Sequence, residues 1–193
     1  MKKFIPPILI LFALVFGCSP DANINTPDSP STHTAKLIKL PAVKSGLSIE
    51  GNLIRVKNID GTTGGTFAES FEYQSANGTV LINSKLIFPA NAFPGSKTIS
   101  QTFNTETASL QFGPPMQFIA PVSYTLTVSG LDLTGINPDM LDFVYVAQDG
   151  SFTGVVYDSI TVDVASGSIT VNNARLEHFS RYGFVNKDDD GNE

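Results

Sequence analysis

The chain has 193 residues, with 12 Lys and Arg against 18 Asp and Glu, and its formal net charge is −6. An acidic surface repels phosphates, and no stripe of basic residues interleaved with aromatics follows the first few positions, so we expect no nucleic acid partner. The chain has no Trp. Because it has 1 Cys, the fold cannot contain an internal disulfide. Its stability has to come from the burial of apolar side chains.

The first 17 residues have the three parts of an export signal. Lys2 and Lys3 give a positive start, residues 8–16 form an apolar run, and the small residue Gly17 precedes the cleavage point. A helix that spans a bilayer needs about 20 apolar residues, and this run is shorter and follows two prolines. We therefore predict a signal peptide over residues 1–17 that is removed. The alternative is an uncleaved membrane anchor.

The segment Val15-Phe16-Gly17-Cys18 resembles the lipobox of bacterial lipoproteins. The resemblance implies that Cys18 is acylated with fatty acids such as palmitate and becomes the first residue of the mature chain. It also implies attachment to a membrane of the bacterial cell envelope, which we expect to be the outer membrane. The alternative, a buried structural or redox thiol, fits less well because this cysteine ends an apolar leader and has no partner cysteine.

We predict that residues 18–35 consist of the lipidated cysteine followed by a flexible linker. The stretch 19–34 is made of Pro, Ser, Thr, Asp and Asn with few apolar residues, and such a composition cannot bury enough apolar surface to offset the cost of ordering. His33 lies in this linker without a second His, Cys or carboxylate cluster beside it. We expect it to be solvated and not to bind a metal.

Short β-rich runs separated by turn residues begin at Lys36. The segment 122–129 alternates apolar and hydroxyl side chains, as a strand with one buried and one wet face requires. The other predicted strands are 47–56, 66–73, 79–88, 142–148, 151–157, 160–164 and 168–171.

Turn signals separate these strands. Asn-Gly, Asp-Gly and Ser-Gly pairs accept the positive φ angles of tight hairpins, and they occur at residues 77–78, 149–150 and 166–167. A further turn is predicted at Asn58-Ile59-Asp60-Gly61, before the Gly64-Gly65 pair, and one short helical turn at residues 137–140, where Asn137 can cap it. Because there is no helix long enough to cover a parallel sheet, we predict an all-β antiparallel β-sandwich over residues 36–185, followed by an acidic tail over 186–193.

Several segments of the central region occur in a characteristic order. They are Gly64-Gly65-Thr66-Phe67, residues 86–95, Ile99, Leu110-Gln111-Phe112, residues 118–122 and the closing residues 176–182. In this order they resemble the ZU-type domain of ankyrins, netrin receptors and zonula occludens proteins, over about residues 64–185. The resemblance implies a β-sandwich used for protein interaction, without a cofactor.

The triplet His178-Phe179-Ser180 is the basis of the most specific chemical hypothesis that the sequence offers. In some proteins of this family, and in certain nucleoporins, a His-Phe-Ser triplet cleaves itself between Phe and Ser. The resemblance implies that the Ser180 hydroxyl attacks the carbonyl of Phe179, that His178 takes the proton as general base, and that water resolves the ester. Cleavage would release only residues 180–193.

If residues 176–184 form a single closing strand, the side chains of His178 and Ser180 lie on one face and that of Phe179 lies on the other. Leu176, His178, Ser180, Tyr182 and Phe184 are predicted to share the inner face. An inward-facing His178 is equally compatible with a structural role, because a buried histidine needs only hydrogen-bond partners and does not need to take part in a reaction.

Three weaker signals lie near turns and at the C-terminus. Asn186, Asp188 and Asp190 match the first half of a calcium loop, but the bidentate carboxylate at its twelfth position is missing, so we expect a solvated tail. Asn77-Gly78-Thr79 is formally a glycosylation acceptor, although a turn explains it as well. Asp158-Ser159-Ile160 resembles the acceptor triplet for O-linked glycans in some bacteria.

No nucleophile elbow, phosphate loop or zinc spacing occurs in the sequence. We therefore expect a non-enzymatic envelope lipoprotein with no cofactor and no metal, whose sandwich binds an envelope protein or a glycan. The alternatives are a domain that cleaves itself between Phe179 and Ser180 and a structural spacer within an envelope assembly.

Overall fold

The computed structural model describes residues 35–44 and 53–187, which form twelve β-strands and one short 3₁₀ turn at Pro138–Met140. The strands are β1 (Ala35–Leu37), β2 (Leu53–Asp60), β3 (Gly65–Ser75), β4 (Gly78–Phe88), β5 (Ser96–Phe103), β6 (Ser109–Gly113), β7 (Gln117–Ser129), β8 (Leu141–Val146), β9 (Phe152–Gly154), β10 (Ser159–Asp163), β11 (Ser168–His178) and β12 (Arg181–Lys187).

The strands form two antiparallel sheets whose inner faces pack together, which confirms the predicted all-β sandwich. The five-stranded sheet has the order β10-β11-β7-β4-β3. The seven-stranded sheet has the order β2-β5-β6-β12-β8-β9, and β1 pairs with the end of β12. Within residues 35–44 and 53–187, no helix is long and apolar enough to cross a bilayer.

The alternating pattern that predicted β7 is confirmed. Its inner residues are fully buried, namely Val122, Tyr124, Leu126 and Val128. The hydroxyl residues between them stay half-exposed on the outer face. In β4, Ser84 lies on the buried phase with its apolar neighbours. Ser84 is therefore a polar residue on the inner face of β4, among apolar neighbours.

The predicted hairpin turns are confirmed where β3 meets β4, β8 meets β9, and β10 meets β11. Gly78, Gly150 and Gly167 have positive φ angles of 126°, 85° and 61°, a region that L side chains rarely adopt. The predicted helical turn is also present. The Asn137 side chain accepts a hydrogen bond of 3.1 Å from the backbone N–H of Asp139.

The turn predicted at residues 58–61 is wrong. β2 continues through Asn58 and Ile59 to Asp60, which pairs with Ser96 of β5, and the chain turns only after Asp60. Ile59 is buried between the sheets, and this burial outweighs the turn preference of the Asn and Asp that flank it. The first part of the predicted strand, residues 47–52, lies outside the described residues, as do the leader, Cys18, His33, Asp188 and Asp190.

Three strands of the seven-stranded sheet, β1, β5 and β6, were not predicted. The outward positions of β5 are Ser and Thr, and one of its inward positions is the polar Gln101. The strand therefore lacks an apolar alternation, and its pairing with β2 on one side and β6 on the other holds it in the sheet.

Candidate functional site

The His178-Phe179-Ser180 triplet lies where the chain crosses from one sheet to the other. β11 of the five-stranded sheet ends at His178, and β12 of the seven-stranded sheet begins at Arg181. The prediction of one continuous strand through the triplet is therefore wrong. Phe179 and Ser180 form the connection between the two layers.

The crossover also changes which side chains face inward. Tyr182 is buried as predicted, and so are Leu176 and Phe184, but His178 and Ser180 are only half-buried. Phe179, expected on the opposite face, is 3% exposed. The chain leaves the pleat of β11 at His178, so strand alternation no longer decides the direction of the next two side chains.

Phe179 fills the space between the sheets at this end of the sandwich. Its ring stacks on Phe112 at a centroid distance of 5.3 Å and meets Phe118 and Phe88 edge-to-face at 4.8 and 6.0 Å. Its backbone N–H donates a 2.8 Å hydrogen bond to the carbonyl of Met116. The central residue of the triplet is therefore a core anchor of the crossover.

The His178 ring packs between two tyrosines. Its centroid lies 4.9 Å from that of Tyr145, in an edge-to-face arrangement, and 6.0 Å from that of Tyr182. Nδ1 of His178 is 3.4 Å from the Tyr182 hydroxyl, which donates a shorter hydrogen bond of 2.7 Å to the His178 carbonyl. These side chains line an open cleft of about 170 Å³ together with Val156 and Glu177.

The geometry does not bring a general base onto the candidate nucleophile. Among the described residues, no hydrogen bond joins the His178 ring to Ser180. The carbonyl of Ser180 accepts a 2.9 Å hydrogen bond from the backbone N–H of Phe112. The peptide bond between Phe179 and Ser180 is trans, and neither residue has a positive φ. This arrangement favours the structural interpretation of the triplet.

Burial raises the pKa of Tyr182 above its ordinary value, and the negative charges that Tyr145 and Glu177 would carry raise it further. The Tyr182 phenol therefore stays protonated at neutral pH and keeps donating to the His178 carbonyl.

The outer face of the five-stranded sheet is a broad polar surface. One continuous row of residues crosses all five strands, and each carries a hydroxyl or an amide. Neighbouring hydroxyls on this surface lie within hydrogen-bond distance, 2.9 Å between Thr127 and Thr170. The row consists of Ser70, Asn83, Thr127, Thr170 and Thr161. We call this surface the hydroxyl face.

A shallow depression of about 470 Å³ lies on the hydroxyl face over β3, β4 and β7. Its lining combines small and polar residues with one acidic and one basic residue, so it offers both donors and acceptors without an aromatic platform. The lining consists of Ala68, Glu69, Ser70, Asn83, Ser84, Lys85, Thr125 and Thr127.

A buried polar group that the sequence did not reveal connects the two sheets. Gln101 of β5 is fully buried, and its side-chain oxygen accepts a hydrogen bond from the hydroxyl of Ser84 in β4. The Ser84 hydroxyl also lies 3.3 Å from that of Tyr124 in β7. Burial raises the pKa of Tyr124, although its hydrogen bond with Ser84 lowers it in part. Polar residues on a buried strand phase were the signal available in the sequence.

The weaker signals fall at surface positions. Asn77 is exposed in the β3–β4 turn, and Ser159 begins β10 with its hydroxyl accepting from Asn172. Asn186 belongs to β12 and pairs with Lys36 of β1, although it was predicted to lie in a tail. No group of three or more His, Cys, Asp or Glu side chains that could hold a metal occurs within residues 35–44 and 53–187.

No known protein family, no curated protein and no solved structure matches the chain.

Proposed function

We propose that the chain is a lipoprotein of the bacterial cell envelope, attached to the membrane through Cys18, and that its sandwich is a non-enzymatic interaction module. The observation that carries this proposal is the N-terminal order: two lysines, the apolar run 8–16, and Val15-Phe16-Gly17 directly before the only cysteine of the chain. An export signal and a lipid attachment site share this order.

Lipid on Cys18 would make attachment stable without a spanning helix. Each buried CH₂ group of an acyl chain contributes about 0.8 kcal/mol, and a lipoprotein cysteine carries more than one chain. The linker over residues 19–34 would then hold the sandwich roughly 20 to 24 Å from the bilayer on average, if it behaves as a flexible chain. At that distance the sandwich can reach other components of the envelope.

The hydroxyl face is the surface best suited to bind such a component. Its central row carries hydroxyls and amides and no charge, and the depression of about 470 Å³ gives it a concave part. Ser, Thr and Asn side chains can donate and accept hydrogen bonds. This chemistry suits the hydroxyl groups of a glycan or the polar surface of an envelope protein.

Metabolic labelling with a palmitate analogue tests the anchor. We expect label on the wild-type chain in the membrane fraction and none on the Cys18→Ala variant. A matched Cys18→Ser variant should behave like the alanine variant. Equal labelling of all three chains, or an unlabelled wild type, would overturn the proposed attachment.

Affinity capture from native membranes tests the interaction module. We expect a reproducible protein or glycan, and we expect the Asn83→Ala and Thr127→Ala variants to lose it. Thr98→Ala is the matched control, because Thr98 is an exposed residue of β5 in the other sheet. Recovery of the bait alone would favour a structural spacer, and equal capture by all variants would exclude the hydroxyl face.

A further inference from the structure

The hairpin of β10 and β11 contains one tetrapeptide twice. Ser-Ile-Thr-Val occupies residues 159–162 in β10 and again residues 168–171 in β11. The two copies run antiparallel, so that Ile160 lies opposite Val171 and Thr161 lies opposite Thr170. The Ile-Thr-Val part of the tetrapeptide is thus paired with its own reversed copy, while Ser159 lies opposite Asn172 and Ser168 lies opposite Asp163. These three residues are therefore complementary to themselves in an antiparallel sheet.

The two copies differ in their place in the sheet. β11 pairs with β7 on one side and with β10 on the other, whereas β10 is the terminal strand of the five-stranded sheet. In an antiparallel strand the backbone groups of alternate residues point to opposite sides. Half of the N–H and C=O groups of β10 therefore point away from β11.

The opposite edge of this sheet is protected in a way that β10 is not. Along β3, the Lys57 side chain donates a 2.9 Å hydrogen bond to the carbonyl of Thr66, and the backbone N–H of Lys44 donates a 3.0 Å bond to that of Gln74. Charged side chains and proline are common protections of edge strands. In β10 the last residue, Asp163, is charged, whereas residues 159–162 carry neither a charge nor a proline.

We propose that β10 is a self-association edge, through which two copies of this chain pair antiparallel about a twofold axis at Thr161. In this register Thr161 faces Thr161 of the second copy, and Ile160 faces Val162 of the second copy. Both pairings already occur within the hairpin, as Thr161 with Thr170 and Val162 with Ile169. The two five-stranded sheets then continue into each other.

The ends of the strand suit the same register. Asp163 lies opposite Ser168 within the hairpin, and it would lie opposite Ser159 of the second copy, which is again a serine. No two carboxylates face each other directly, so the close-range repulsion between like charges in opposed positions is avoided.

Net charge and membrane attachment set the conditions for pairing. Copies with a formal charge of −6 repel each other at long range, and salt screens this repulsion, so pairing should strengthen as ionic strength rises. A contact between two five-residue strands is small. Confinement to a membrane raises the effective concentration of the copies, and this step alone rests on the proposed lipid anchor.

Disulfide trapping tests the register. Residues directly opposite in an antiparallel pair have Cβ atoms about 4.5 to 5.5 Å apart, close to the separation of about 3.8 Å in a disulfide. The full chain with Cys18→Ser and Thr161→Cys carries one thiol. On mild oxidation we expect a disulfide-linked homodimer that reductant reverses and that increases with salt.

Matched variants show whether the dimer is specific. Thr170→Cys places the thiol on the same residue of the repeated tetrapeptide but in an interior strand, and Ser70→Cys places it on the opposite edge strand. Both should stay monomeric. A Thr161→Cys chain that stays monomeric, that dimerises no more than Ser70→Cys, or that is trapped on a different protein would overturn the proposal.

A second variant tests pairing without a new thiol. Thr161→Arg puts two like charges opposite each other at the axis, so native mass measurements should show a shift from dimer to monomer, while Ser70→Arg should leave the dimer unchanged. An equal effect of both arginines would contradict the register. Palmitate labelling of Cys18 is read separately, so a failed anchor and a failed edge give different results.

Discussion

The hydroxyl of Tyr182 donates a hydrogen bond to the carbonyl oxygen of His178, 2.7 Å away. This bond ties the second residue of β12 to the last residue of β11 and so closes the crossover between the two sheets. Tyr182 is buried, and burial raises its pKa, which keeps the donor protonated.

Removal of this hydroxyl should weaken the fold. In Tyr182→Phe the partly buried carbonyl of His178 loses its donor, and we expect a loss of about 1 kcal/mol in the free energy of unfolding, measured with urea. Tyr145→Phe is the control, because Tyr145 packs on the same histidine ring but makes no hydrogen bond through its hydroxyl within the described residues. Equal effects of both variants would contradict a specific role for the bond.

Truncation of Phe179 should have a larger effect. Its ring contacts Phe88, Phe112 and Phe118 between the sheets, and Phe179→Ala would leave a cavity that costs about 3 to 5 kcal/mol of unfolding free energy. Ile119→Ala is the matched control, since Ile119 is 75% exposed and its truncation should change stability by less than about 0.5 kcal/mol. A Phe179→Ala chain as stable as this control would refute the anchor role.

The buried polar group between the sheets gives a third prediction. Gln101→Met keeps the size of the side chain but leaves the Ser84 hydroxyl only its longer contact of 3.3 Å with the Tyr124 hydroxyl, at an expected cost of about 1 to 3 kcal/mol. Gln111→Met, on the exposed side of β6, should be nearly neutral. Thermal and urea unfolding of both variants distinguish the two cases, and equal stability would show that the bond contributes nothing.

Alkaline pH should destabilise the domain through its tyrosines. Burial raises the pKa of Tyr73 to about 12, and burial together with Asp142 raises that of Tyr157 to about 12. The unfolded chain releases these protons near the ordinary value of 10.0, so above that pH it binds fewer protons than the folded chain, and stability falls. Unfolding measured below pH 10 and again between 10 and 12, with phenolate absorbance, checks the sign. Unchanged or rising stability would contradict it.

The triplet at the crossover should stay intact in the folded chain. The His178 ring interacts with Tyr182 and Tyr145 and makes no hydrogen bond to Ser180 among the described residues. Purified protein kept for days should release no fragment 180–193. Release of that fragment by the wild type, but not by Ser180→Ala, would establish self-cleavage instead.

The sequence predicted the parts of the fold that local patterns control. Alternation in β7 and glycines at positive φ located strands and hairpins because each pattern acts within one or two strands. The prediction from sequence failed where a segment becomes a strand only because of the strands that it pairs with. β5 is a strand because β2 and β6 lie beside it, and residues 178–181 separate into two strands because they pair in different sheets.

For the candidate sites too, the sequence identified the residues but not their positions in the fold. His178, Phe179 and Ser180 could be identified from their order, but their directions could not, because the crossover ends the alternation that was used to predict them. The repeated tetrapeptide is visible in the printed sequence. Its meaning depends on β10 being the terminal strand, which only the pairing of the sheet reveals.

The intact mass of the chain purified from membranes tests the proposed function most directly. The proposed anchor predicts a chain that begins at Cys18 and whose mass exceeds that of its residues from Cys18 onward by the acyl groups on Cys18. A chain that still contains residues 1–17, or one that begins later or carries an unmodified Cys18, would contradict it.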